Sequence, residues 1–282
     1  MYAFEIRNMS KRYGKIRKND FELKDVSLAL PSGCIMGLIG ENGAGKTTLI
    51  NAMLGIISRN SGTVSFFDKP ECTEAKDEIG VVLGEESFPE TLNPYDVNKM
   101  MRNIYSKWDE EKYFALLEKF SLPRKKIIKN FSRGMKVKLS IAVALSHNAK
   151  LLILDEPTNG LDPVIRNEIV DIFYEFTRNP LNSVLISSHI VSDLEKLCDY
   201  IAFLHKGKLV LCEEKDRLLE KYGIIHCSAT EFEKIEPSAV KSKKESPYGV
   251  EAVVERRAVS ADTEISPVGV EELFVVLMKE EK

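Results

Sequence analysis

Apolar and polar positions alternate over residues 2–7 and again over residues 21–30, which predicts two strands of an antiparallel layer with one buried face. Residues 11–18 between them form a basic turn. Hairpin tips carry charge because they are solvated, so no nucleic-acid partner is inferred from it. Over residues 34–39 the alternation gives way to an apolar run, followed by the glycine-rich turn Gly40-Glu41-Asn42-Gly43-Ala44-Gly45. A helical pattern then starts near Lys46 and carries Leu49, Ile50, Met53 and Leu54. Helical periodicity dominates residues 93–149, with Tyr113, Leu116, Leu117 and Phe120 at helical spacing. The unbroken run 151–154 predicts a parallel strand covered on both faces, with a second strand at 183–187 and a crossover helix over 164–176 between them. Residues 200–203 and 208–211, on either side of Lys206-Gly207, read as a hairpin.

After about residue 222 the pattern changes. Two further strands are expected at 224–229 and 250–256, separated by a polar stretch containing Pro237, Lys241 and Lys244. The chain closes with a helix carrying Val270, Leu273, Phe274 and Leu277 on one face, with Ser266-Pro267 expected as its cap and first position. The expected organisation is α/β. Residues 1–221 form one domain with an antiparallel β layer and an inserted helical subdomain at about 88–149; residues 222–282 form a small α/β appendage for pairing or regulation.

Composition narrows the function classes more than it identifies one. With 282 residues and 44% hydrophobic content the chain can bury a full core, and a formal net charge of −3 gives no global pull toward nucleic acid or anionic lipid. Five cysteines, Cys34, Cys72, Cys198, Cys212 and Cys227, contain no C-x-x-C pair and read as reduced, mostly buried thiols. The first residues meet charge at Glu5 and Arg7, and no stretch has the apolar length that spans a bilayer. These features imply a cytoplasmic chain that meets a membrane only through a partner.

Chemistry concentrates at strand ends. Residues 40–47 match G-x-x-x-x-G-K-[ST]: Gly40, Gly43 and Gly45, with Asn42 and Ala44 between them, let backbone amides close around phosphate oxygens at a helix N-terminus. Lys46 would neutralise β and γ phosphates, and Thr47 would offer a hydroxyl to Mg²⁺. Asp155, at the end of the buried run, sits where an acid can hold Mg²⁺; Glu156 diverges from it and can serve as the base for an attacking water. His189 follows the next strand. It either hydrogen-bonds the γ phosphate or is an ordinary packed histidine, and its place on the strand after Asp155-Glu156 favours the first.

Over about residues 1–215 the chain resembles the nucleotide-binding domain of ATP-binding cassette (ABC) proteins. The segment from Gly40 through Thr48 resembles the Walker A loop, 151–156 the Walker B strand, Asn159-Gly160-Leu161-Asp162 the D-loop, and His189 the switch histidine. Ser132-Arg133-Gly134-Met135-Lys136 stands where the family's signature lies. The resemblance implies that Ser132, Gly134 and Met135 meet the γ phosphate bound by an opposite subunit. Ser132 and Gly134 serve an ordinary helix cap equally well. Tyr13 occupies the place of the adenine-stacking aromatic, though a tyrosine there also suits simple packing.

Three positions depart from the family pattern. Glu41 replaces a common proline; Met135 replaces glutamine, as in subunits of ABC-2-type exporters; and Gly84-Glu85 stands where the Q-loop glutamine is expected. The resemblance implies an ATPase, with ATP and Mg²⁺, that pairs with a second ABC subunit and a separate transmembrane permease. The alternative is a soluble ABC ATPase in cofactor assembly or another non-transport process. A phosphate-loop kinase or GTPase is set aside, because Asn-Lys-x-Asp is absent and the signature has no use in a kinase.

Overall fold

The computed structural model describes residues 1–13, 21–84, 87–247, 249–260 and 263–280. The unbroken apolar runs become the inner strands of a central sheet, since both faces of a parallel strand are covered. Its strands are β3 (Ile35–Ile39), β6 (Ile79–Leu83), β7 (Leu151–Asp155), β8 (Ser183–Ser188), β9 (Tyr200–His205) and β10 (Lys208–Glu214), in the order β10-β9-β3-β8-β7-β6. All pairs are parallel except β10 with β9. Every residue of β3, β7 and β8 is buried.

One face is covered by the antiparallel layer β2-β1-β4-β5, made of β1 (Tyr2–Arg12), β2 (Glu22–Pro31), β4 (Ser61–Phe66) and β5 (Lys69–Pro70). Phe4, Ile6 and Leu28 from this layer share a core with Met36, Leu38 and Leu185 of the sheet, and with Leu49 and Ile50 of α1 (Lys46–Met53). A short α2 (Thr73–Lys76) precedes β6. The opposite face carries α3 (Pro94–Ile104), α4 (Glu110–Lys119), α5 (Arg133–Leu145), α6 (Pro163–Thr177) and α7 (Val191–Leu197). Four of these start on side-chain caps: Asn93, Asp109, Ser132 and Asp162 each accept from first-turn amides. All five cysteines are free. Cys198 is buried and burial raises its thiol pKa, whereas the other four are half-buried rather than buried.

Past α8 (Lys215–Lys221) the chain forms a second sheet, β12-β13-β11-β14, from β11 (Tyr222–Cys227), β12 (Val240–Ser246), β13 (Gly249–Glu255) and β14 (Ile265–Ser266), with α9 (Ala229–Phe232) and α10 (Val270–Glu280). Three local expectations fail here. The polar stretch around Lys241 and Lys244 is not a connection but the edge strand β12, held by backbone pairing to β13, which needs no apolar side chains. The strand expected over 224–229 ends at Cys227, because Ser228 turns to cap α9. Ser266 does not cap the last helix: it pairs with Ile224, and α10 starts at Val270, where Glu195 of α7 accepts from the Val270 N–H at 3.1 Å.

That helix leaves its own sheet's small core of Ile225, Val250, Ala252 and Val254 and joins the main one. Val270, Leu273 and Leu277 bury with Leu194, Leu197 and Phe203, and the Phe203 and Phe274 rings meet edge to face at 5.3 Å. Among the described residues no helix is long and apolar enough to cross a membrane.

Candidate functional site

Strand β3 delivers the glycine loop to the C-terminal edge of the sheet, where ligands of open α/β sheets collect. The glycines are required by space. A Cβ on Gly40 would lie 2.5 Å from the Leu204 carbonyl oxygen, and Gly45, at φ 108°, has the Phe21 ring where its Cβ would be. Gly43, at φ 83°, faces open space, so its backbone borders a cavity of about 400 Å³. Asn42, Lys46, Thr47, Thr48 and Glu156 line that cavity, with Phe21 at its rim.

Lys46 is almost wholly buried and its Nζ folds back, donating to the Gly40 and Glu41 carbonyls at 2.7 and 3.3 Å and pairing with Glu156 Oε1 at 3.2 Å. A buried ammonium needs such partners, and phosphate oxygens are better ones. Asp155 ends β7. Its Oδ2 accepts from Thr47 Oγ1 at 2.6 Å and its Oδ1 from Ser187 Oγ at 2.5 Å. The Thr47 hydroxyl and the Asp155 carboxylate are hard oxygen donors side by side at the mouth of the phosphate loop, and they fit Mg²⁺.

Glu156 stands in a left-handed conformation at φ 49°, which a non-glycine residue adopts only where its surroundings hold it. Its Oε2 accepts from Asn159 Nδ2 at 3.1 Å and lies 3.0 Å from His189 Nδ1. Glu156 and His189 are thus brought together with Lys46. Asn159, Phe21 and Ser187 carried no individual role in the sequence.

The remaining candidates stand apart from the cavity. Ser132 accepts from the Met135 N–H at 3.3 Å as the cap of α5, and Gly134 packs on Ile165 so closely that a Cβ would lie 2.8 Å from it. Asp162 accepts from Val164 and Ile165 at the start of α6. The Arg133 guanidinium fills the space over Gly160, which joins the two helix starts into one surface. Tyr13 is half-exposed at the end of β1 with the Lys11 ammonium 5.1 Å from its ring, and does not line the cavity. Gly84, at φ 67°, follows Leu83, which pairs in register with Asp155, and a Cβ there would meet nothing within 4 Å among the described residues. Glu85 lies outside the described residues, as does most of the basic turn 11–18.

A strand, a glycine loop and a helix beside a strand-end acid pair define the chain as a phosphate-loop nucleotide-binding protein. The family model described as ABC transporter matches residues 23–159. The chain is 37% identical over 214 residues to the lantibiotic transport ATP-binding protein SrtF of Streptococcus pyogenes, covering 75% of this chain and 91% of that one. It is 33% identical over 214 residues to the bacitracin transport ATP-binding protein BcrA of Enterococcus faecalis, covering 74% and 68%. A solved ATP-binding subunit of an ABC transporter superposes with a TM-score of 0.67 at 26% identity, over 77% of this chain and 91% of that one. The chain belongs to the ABC transporter family, as an ATP-binding and ATP-hydrolysing subunit that powers transport.

Proposed function

We propose that this subunit is the motor of a membrane exporter, bound at the cytoplasmic face through a separate transmembrane permease and working as a dimer of cassettes. What carries the reading is the likeness to SrtF and BcrA, named for lantibiotic and bacitracin transport, taken with Met135 in the signature segment. Residues 222–282 serve in this reading as a pairing or regulatory appendage anchored by α10.

At the site, Lys46 exchanges the Gly40 and Glu41 carbonyls and the Glu156 carboxylate for β and γ phosphate oxygens. Glu156 Oε1 is then released while Asn159 and His189 keep Oε2 in place, so the carboxylate faces the γ phosphate as a base that takes the proton of the attacking water. Thr47 and Asp155 would hold Mg²⁺, which would neutralise charge on the phosphates, and Thr48 lines the phosphate cavity next to Thr47. Tyr13 stacks on adenine, and Ser132, Gly134, Met135 and Asp162 complete the site of the opposite cassette. Copurification tests the exporter reading: the tagged subunit should bring down a chain with several hydrophobic spans, and its ATPase rate should change when that chain is present. A subunit that stays unaccompanied after gentle solubilisation, with an unchanged rate, would leave the soluble non-transport ATPase instead.

A further inference from the structure

Ser187 lies directly across from Asp155 on the neighbouring parallel strand, wholly buried. A buried hydroxyl costs stability unless its donor and lone pairs are used. This one donates to Asp155 Oδ1 at 2.5 Å and accepts from the Glu156 backbone N–H at 3.0 Å. The Ser187 carbonyl shares that amide at 3.2 Å. One residue on β8 therefore grips two consecutive residues on β7's end, the carboxylate of the first and the backbone of the second.

Both grips matter for chemistry. Asp155 is held from two sides, Oδ2 beside Thr47 and Oδ1 by Ser187, so the carboxylate plane cannot turn away from the phosphate loop. Glu156 has a left-handed backbone that needs external support, and its amide is where that support is applied. Buried hydroxyls on β8 are not all of this kind. Ser183, at the other end of the strand, accepts from the Gly33 N–H and touches no site residue, while Ser188 accepts from the Ile190 N–H across the turn that carries His189.

We propose that Ser187 is a positioning residue of the ATPase site, whose hydroxyl sets the Asp155 carboxylate for the metal and the Glu156 turn for the base. The inference rests on the roles proposed above for those two acids. Hydrogen-bond partners behind metal ligands typically change metal affinity or activity by about 10- to 100-fold when removed.

The test uses Ser187→Ala, Ser187→Cys and Ser187→Thr in the full chain, with turnover measured in the otherwise wild-type protein and ATP binding measured against Mg²⁺ in the Glu156→Gln background. Ser187→Ala should raise the Mg²⁺ concentration for half-maximal ATP binding and lower kcat, each by about 10- to 100-fold, while ATP binding in EDTA is unchanged. Ser187→Cys, with nearly the same volume and a weak donor, should follow Ala, and Ser187→Thr, which keeps the hydroxyl, should restore most of both. If Ala fails to fold, Cys carries the test. The inference is overturned if the Ala and Cys variants keep both quantities within about twofold of the parent, or if they weaken ATP binding equally with and without Mg²⁺. Were Glu156→Gln alone to turn over at the wild-type rate, the base assignment would fall and this inference with it. An inactive Glu156→Gln beside unaffected Ser187 variants would remove only the role of Ser187.

Discussion

The phosphate-loop edge of the central sheet and the C-terminal sheet are built by opposite rules. At the first, fully buried strands end in polar groups that are all engaged with one another: Lys46, Asp155, Glu156, Ser187 and His189 form one connected set around a cavity of about 400 Å³. At the second, a groove of about 690 Å³ runs beside β12, lined by Phe232, Ile235, Lys241 and Lys243. Its cations are paired locally, Lys241 with Glu255 at 3.3 Å and Lys243 with Glu245 at 2.9 Å. Volume alone does not locate chemistry. What distinguishes the smaller cavity is that buried Lys46, Asp155 and Ser187 stand behind its more exposed lining, and burial is what makes a paired charge both costly to lose and sensitive to a ligand.

The comparison breaks hardest at Glu156. Glu156→Gln should keep ATP binding while turnover falls by about 10² to 10⁴-fold, because the amide cannot accept the water's proton. A steady-state rate within about twofold of the parent would take catalysis away from this edge. No substitution of Lys241 or Lys243 should do anything comparable.

On the tail side the largest effect is structural. Leu273 is wholly buried in the main core, and Leu273→Ala should cost about 2–5 kcal/mol of stability, read as a lower denaturant midpoint, with kcat of the folded protein unchanged. Removing residues 222–282 should likewise lower stability or assembly and leave nucleotide binding intact, since Leu194, Leu197 and Phe203 lose their cover while the phosphate loop keeps every contact described above. A change in kcat with stability unaltered would mean that α10 acts on His189 through α7.

A smaller effect is expected where the family pattern is broken. Gly84 leaves the end of β6 without a side-chain oxygen beside Asp155, so Gly84→Gln should lower the Mg²⁺ requirement of ATP binding by less than about tenfold, because Mg²⁺ keeps several waters in any case. If Glu85→Ala loses Mg²⁺ dependence while Gly84→Gln changes nothing, Glu85 is the ligand.

The two regions also differed in how legible they were. The phosphate loop and the acid pair are written in contiguous residues with a recognisable spacing, so residues 40–47 and Asp155-Glu156 could be picked out as candidates with their neighbouring strands. Ser187 could not, since hydrophobic periodicity reports burial and says nothing of which buried hydroxyl faces which carboxylate across a parallel pair. In the tail, β12 was missed because an edge strand is held by its backbone and shows its charges to water. The local Ser266-Pro267 cap signal lost to a tertiary one, the pairing of Ser266 with Ile224. The docking of α10 on α7 is likewise a contact between residues far apart in the chain, which no window of sequence contains.

The smallest effects separate two serines with the same local chemistry. Ser132 accepts from the Met135 N–H at 3.3 Å at the head of α5, and Ser228 accepts from the Glu231 N–H at 3.3 Å at the head of α9. Losing such a cap costs about 0.5–2 kcal/mol, and both should sit near the low end: α5 is held by a largely buried face, and α9 is a short exposed helix with little to lose. Only Ser132 is given a second duty by the family resemblance, toward the nucleotide of an opposite subunit. In the Glu156→Gln background, light scattering with MgATP should therefore show a dimer for the parent and for Ser228→Ala and a weakened one for Ser132→Ala, with the two serine variants melting alike. A parent that stays monomeric at high protein and ATP concentration would exclude the homodimer and leave pairing with a related cassette. A Ser132→Ala protein that dimerises as the parent does would make this serine a helix cap and nothing more. The bridging of two cassettes would then have to run through Gly134 and the first amides of α5.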